Sequence, residues 1–125
     1  DKKVHLLGRR ADIPRLMTAM DMYISSSAYG EAFPLVIGEA MASGVACVVT
    51  DVGDSAEMIA GNGRIIPPGQ ADALVKACVD LLSLPPVERI RVGVLARQHV
   101  QDQYDQGVVA GRYAAVYRSI LSRKK

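Results

Sequence analysis

The chain carries little net charge, only two cysteines and no long hydrophobic run, and each shortage excludes something. A formal charge of +2 over 125 residues is too small to argue for a nucleic-acid partner. The basic residues are scattered apart from Arg9-Arg10 and the terminal Arg123-Lys124-Lys125, which reads as a solvated end. No apolar run approaches the ~20 residues that a membrane-spanning helix needs. The opening DKKVHLLGRR lacks the apolar stretch of a signal peptide. Cys47 and Cys78 stand apart without metal-type spacing, which predicts buried reduced thiols and a cytoplasmic setting. No repeat, low-complexity tract or internal linker interrupts the chain, and half of it is hydrophobic, the balance of one globular domain with a real core.

Short apolar runs alternate with helical patterns, the signature of a βαβ chain with a parallel sheet. Val4-His5-Leu6-Leu7 reads as a first strand closed by Gly8. Asp12 is placed to cap a helix with Ile13, Leu16, Met17 and Met20 at helical spacing. Met22-Tyr23-Ile24 is the second strand, followed by a helix from about Leu35 to Ser43 that Gly44 stops. The run from Ala46 to Val49 is a third strand, apolar on both faces. A short helix around Glu57-Met58-Ile59 precedes a fourth strand, Arg64-Ile65-Ile66, which Pro67-Pro68-Gly69 ends. The rest is helical, over 71–84, from about 86 to 104 and from about 108 to 122. The last helix carries Tyr113, Val116, Tyr117, Ile120 and Leu121 on one stripe. The expected fold is therefore α/β, a doubly wound parallel sheet of about four strands with a helical C-terminal third.

Glutamate is scarce too: there are four, and two of them, Glu31 and Glu39, flank one short apolar run with seven residues between them. Gly30-Glu31-Ala32-Phe33 is a loop that meets a helix at Pro34-Leu35, with proline expected in the first turn, where its missing N–H costs little. A helix N-terminus leaves backbone N–H groups unpaired and carries about half a positive charge, so it suits a phosphate. In an open parallel sheet such a loop lies at the carboxyl ends of the strands, where ligands bind. Glu39 sits one turn beyond Leu35 in what reads as a buried helix, and a carboxylate accepts the paired hydroxyl hydrogen bonds of a sugar diol. Either glutamate alone is an ordinary acid. Together with the Phe-Pro helix entry they suit one ligand that has phosphates between two sugars. Other signals carry less. Gly61-Asn62-Gly63 enters a strand and lacks the dinucleotide fingerprint. Asp51 and Asp54 read as loop and helix-cap residues rather than a metal site. His5 and His99 are assigned no chemistry.

The segment SSAYGEAFPLVIGEAMASGVACVVTDVGDSAE, from Ser26 to Glu57, resembles the nucleotide-sugar site of retaining glycosyltransferases of family four, two-domain enzymes with the GT-B fold. The signature is Glu31, Glu39, Ala40-Met41-Ala42, Gly44, the ACVV strand and the loop Thr50-Asp51-Val52-Gly53. The likeness extends outward to Val4–Gly8, to 22–26 and to the turn 66–69. It implies a Rossmann-like domain in which Glu31 is the catalytic-site carboxylate that contacts the donor sugar and Glu39 holds the ribose hydroxyls. Backbone N–H groups at Ala32, Phe33 and Leu35 would bind the donor's phosphates or sugar, and Gly8, Arg9 and Arg10 would border the nucleobase. No metal and no cofactor is implied.

Departures from the family pattern are specific. Ala32 stands where glycine is common, which requires a negative backbone φ there. Asp54 replaces a frequent second glycine. The family's earlier strand and loop, with the Arg and Lys that neutralise the diphosphate, have no counterpart before Val4, and no acceptor-binding domain is seen. Residues 1–125 are accordingly expected to be a partial C-terminal donor-binding domain. The partners implied are a UDP-, GDP- or ADP-sugar and the N-terminal acceptor domain of the same protein. The full enzyme is expected to be cytoplasmic, with peripheral membrane association left open. The product class would be polysaccharide, lipopolysaccharide or glycolipid. Two other readings stay open on the residues: a non-catalytic nucleotide-binding or interaction module on this scaffold, and a piece of a GT-B sugar-nucleotide epimerase.

Overall fold

The computed structural model describes residues 3–122. Its centre is β2 (Cys47–Thr50), where consecutive β-formers are buried on both faces. On one side β2 pairs in parallel with β1 (Tyr23–Ser25), Ile24 opposite Val48. On the other it pairs in parallel with β3 (Arg64–Ile66), Val49 opposite Ile65. The order β1-β2-β3 puts Ser25, Thr50 and Ile66 at one edge of the sheet, and three loops leave from that edge.

Alternation along β2 divides the core in two. Cys47 and Val49 face a cluster with Met17, Ile37, Ala40, Met41, Met58, Ile59 and Ala96. These come from α1 (Ile13–Met17), α2 (Leu35–Ala42), α3 (Ser55–Ile59) and α5 (Pro86–Tyr104). Val48 and Ala46 face Ile66, Ala77 and Leu81, the last two from α4 (Ala71–Leu82). Helices thus cover both faces of the parallel sheet. The final helix, α6 (Gln106–Ser122), buries no residue and leaves the whole Tyr113–Leu121 stripe exposed.

Several boundaries differ from the sequence expectation. The predicted strand at Val4–Leu7 does not form, so the sheet among the described residues has three strands rather than about four. Val4 is 66% exposed and Leu6 97%: a strand exists only through a ladder partner, and none of the described residues supplies one. Asp12 does not cap α1, because its carboxylate is taken by the Arg10 guanidinium in two bonds of 2.7 and 2.6 Å. The helix ends at Met17 and Met20 reaches the core from the turn beyond. Asp54 stands at the N-cap position of α3 without a side-chain cap bond. Pro34 is the N-cap of α2 rather than its first helical residue, and its carbonyl accepts the Ile37 N–H at 3.0 Å.

Both cysteines are free, Cys47 buried in the central strand and Cys78 half-buried on α4. Burial pushes the Cys47 thiol from 9.0 up to about 12. Between those values the folded state keeps a proton that the unfolded chain has lost. Stability from this group is therefore fully present below about pH 9 and declines as pH rises toward about 12. Urea melts across that window should show falling stability in the parent chain and a shallower slope in Cys47→Ala. Equal slopes in the two proteins would contradict this assignment.

Candidate functional site

The site is built on the carboxyl edge of the sheet. Thr50, at the end of β2 and 4% exposed, donates its hydroxyl to the Ser27 carbonyl at 2.6 Å, tying the loop after β1 to the central strand. Ser27 in turn donates its hydroxyl to Glu31 Oε1 at 2.7 Å. One carboxylate oxygen is thus held in place and the other remains for a ligand. Gly30 lies between them at φ +84°, a conformation that favours glycine.

The loop after β2 closes on the same segment from the other side. The Asp54 N–H donates to the Ala32 carbonyl at 2.8 Å. Gly53, at φ +58°, comes so close that a Cβ would lie 2.5 Å from the carbonyl oxygens of both Glu31 and Ala32. The Thr-Asp-Val-Gly loop is therefore a clasp on the backbone that carries Glu31. Ala32 takes a negative φ, as its side chain requires.

Directly after the clasped loop, α2 begins at Leu35, and the N–H groups of Leu35 and Val36 have no carbonyl one turn back to receive them. Glu39 follows one turn later. It is exposed, not enclosed: α2 buries Ile37, Ala40 and Met41 and turns Leu35 and Glu39 outward. The sequence expectation of a buried Glu39 is corrected here, because a helix lying on a sheet has one solvent face even when most of its residues are apolar. Glu39 borders two grooves. One, of about 250 Å³, runs between α1 and α2 and is lined by Ile13, Pro14, Met17, Ala42 and Ser43. The other, of about 310 Å³, runs between α2 and α5 and is lined by Phe33, Leu35, Met58, Val100 and Tyr104.

Glu31 and Glu39 lie on one continuous segment, the loop after β1 and α2. Burial raises the pKa of the Tyr23 phenol on β1, and the charges of Glu31 and Glu39 both add to that rise. Glu31, Ala32, Phe33, Leu35 and Glu39 accordingly form one loop-and-helix unit. Gly8, Arg9 and Arg10 do not join it by any hydrogen bond or ion pair among the described residues; they are exposed and precede α1, with Arg10 committed to Asp12. Sequence reasoning missed the Ser27 and Thr50 tethers, the α1 groove wall and Tyr104, whose ring meets Phe33 edge-on at 5.4 Å. It saw Gly53 as part of a motif but not as the close approach that makes glycine necessary. Among the described residues no three His, Cys, Asp or Glu side chains converge on a possible metal position. No helix of the described residues is long and apolar enough to cross a membrane.

A parallel α/β domain with a clasped acidic loop and an open helix N-terminus at the strand ends defines a class of ligand-binding architecture. Within that class the chain belongs to a family described as glycosyl transferases group 1, whose model matches residues 1–84. It is 34% identical over 94% of its length to the N,N'-diacetylbacillosaminyl-diphospho-undecaprenol alpha-1,3-N-acetylgalactosaminyltransferase of Campylobacter jejuni, covering 31% of that protein. It is 31% identical over 95% of its length to the lipopolysaccharide core biosynthesis mannosyltransferase LpsB of Rhizobium meliloti, covering 34% of it. Among solved structures, Anabaena HepE in complex with UDP-glucose superposes with a TM-score of 0.84 at 27% identity, over 95% of this chain and 33% of that one. The chain thus spans about a third of the length of these relatives.

Proposed function

We propose that this chain forms the donor-binding part of a glycosyltransferase that moves a sugar from a nucleotide-sugar to an acceptor hydroxyl with retention of configuration. The observation that carries this reading is the clasped loop: Glu31, held by Ser27 and by the Gly53-Asp54 clasp, stands at the entry of α2. In this reading the free oxygen of Glu31 takes a hydroxyl of the donor sugar. The opening N–H groups of α2, together with the backbone at Ala32, Phe33 and Leu35, receive the diphosphate. As the bond from the anomeric carbon to the diphosphate oxygen breaks, negative charge collects on that oxygen and the helix N-terminus stabilises it.

Glu39 takes the ribose diol, and the α1 groove beside it offers Ile13, Pro14 and Met17 as an apolar wall for the base. Gly8, Arg9 and Arg10 precede α1, which carries that wall, and in this reading border the nucleobase. The donor class draws support from HepE, whose structure holds UDP-glucose. Synthesis of polysaccharide, lipopolysaccharide or glycolipid draws support from relatives named for undecaprenol-diphosphate and lipopolysaccharide-core products. The exposed stripe on α6 is suited to pack on an acceptor-binding domain of the same protein. A soluble nucleotide-sugar donor and two free thiols fit a cytoplasmic setting.

Titration with UDP, GDP and ADP, followed by amide NMR shifts, tests this directly. At least one nucleotide should perturb the amides of residues 31–39. Glu39→Ala should weaken that binding about tenfold, the size expected when hydrogen bonds to a charged acceptor are lost. Silence toward all three nucleotides would overturn the donor-site assignment. Sugar transfer catalysed by the 125-residue chain alone would overturn its assignment as one part of the catalytic unit.

A further inference from the structure

The last residue of α5 has surroundings that the donor-site reading does not use. Tyr104 is half-buried, and its ring meets the edge of Phe33 at 5.4 Å with the planes at 64°. It also meets His99, with ring centroids 6.0 Å apart. Phe33 is the sole phenylalanine of the chain and follows Ala32 directly in the clasped loop. Burial raises the pKa of the Tyr104 hydroxyl, and the carboxylates of Glu57 and Asp54 add to the rise while Arg112 opposes it. Tyr104 stands at the α5–α6 corner, against Phe33 of the loop after β1 and on the groove that Leu35 and Met58 also line.

The chain around Tyr104 is anchored. Asp105 leaves the helical conformation at ψ 142° and accepts the Gly107 N–H on its carboxylate at 2.8 Å. From α6, Arg112 reaches back to Gln103, donating to its backbone carbonyl at 2.9 Å and to its side-chain oxygen at 2.6 Å. Phe33, by contrast, is 42% exposed. An exposed loop aromatic thus rests on one held at the α5–α6 corner.

We propose that Tyr104 is a positioning residue for the donor loop: its ring, fixed at the α5–α6 corner, holds Phe33 and through it the backbone that carries Glu31. The contribution is apolar and lies in the ring, so the hydroxyl is dispensable. The part of the inference that concerns ligand binding rests on the donor-site reading above, whereas the part that concerns loop placement does not.

Hydrogen exchange on the whole chain separates the two. The Asp54 amide, bonded to the Ala32 carbonyl, reports whether the loop is seated, and the amides of central strand β2 report global opening. In Tyr104→Ala the Asp54 amide should exchange faster by about two- to tenfold relative to β2, the population change an aromatic pair supports. Tyr104→Phe should restore the parent ratio. A second arm measures UDP-glucose affinity well below the melting temperature, where Tyr104→Ala should bind more weakly by a similar factor and Tyr104→Phe as the parent does. If Asp54 and β2 speed up together in Tyr104→Ala, the residue is merely structural and the proposal fails. It fails too if the Asp54 ratio does not change. If the exchange ratio shifts as expected but the parent chain binds neither UDP-glucose nor any of UDP, GDP and ADP, the loop placement stands and only the donor-site reading fails.

Discussion

Replacing Gly93 with alanine is expected to destabilise the protein by about 3 kcal/mol or more, the largest effect of any single methyl group added to this chain. Gly93 lies in the middle of α5, where glycine ordinarily weakens a helix. Here α5 crosses the turn between α2 and β2 so closely that a Cβ on Gly93 would sit far inside van der Waals contact with the Gly44 carbonyl oxygen. That oxygen is backbone and cannot swing aside. Gly44 itself is fixed at φ +75° as the stop of α2, and Val45 behind it enters the buried strand. The methyl can be accommodated only by moving α5 away from α2, which opens the core at Ala96 and Met41. The control is Gly111→Ala on α6, where a Cβ would meet nothing within 4 Å. That change should raise stability by about 0.5–1 kcal/mol through helix propensity alone. Urea unfolding of the two variants beside the parent decides the matter, and a Gly93→Ala midpoint equal to the parent's would show that α5 does not cross in this register.

Gly53→Ala should act on the site more than on the fold. The added Cβ would lie 2.5 Å from the carbonyl oxygens of Glu31 and Ala32, and φ +58° is a strained conformation for alanine. Relief comes from separating the two loops, which breaks the Asp54–Ala32 bond and releases the segment that carries Glu31. Both loops lie at the sheet edge, so the core clusters are not forced to move. The expectation is a loss of nucleotide affinity of about tenfold or more, as for a misplaced binding group. It should come with only about 1–2 kcal/mol of lost stability. Affinity should be read by the same amide titration that tests Glu39, and stability by urea unfolding. Unchanged affinity in Gly53→Ala would mean that the clasp does not position the site.

These cases show what could be read along the chain and what could not. Glu31, the Phe-Pro helix entry and Glu39 were legible because they lie within one loop and one helix, where spacing translates into geometry through the helical repeat. The Cys47–Thr50 strand was legible because burial on both faces leaves an unbroken apolar run. Val4–Leu7 has the same local character yet forms no strand, since a strand depends on a partner that local pattern does not contain. Glu39 was expected to be enclosed because its neighbours are apolar, whereas helix rotation on the sheet turned it outward.

The amino-acid order by itself determined the parallel α/β plan, the position of the acidic loop at the strand ends and the helix N-terminus beside it. Each of these follows from short-range periodicity and from the stereochemistry of glycine and proline. Only the tertiary structure decided that Gly53 clasps the Glu31 backbone, that Gly93 lets α5 lie against Gly44, and that Tyr104 meets Phe33. Those contacts join residues far apart in the chain. Their geometry is set by how close-packed layers meet, and no local pattern of residues encodes that distance.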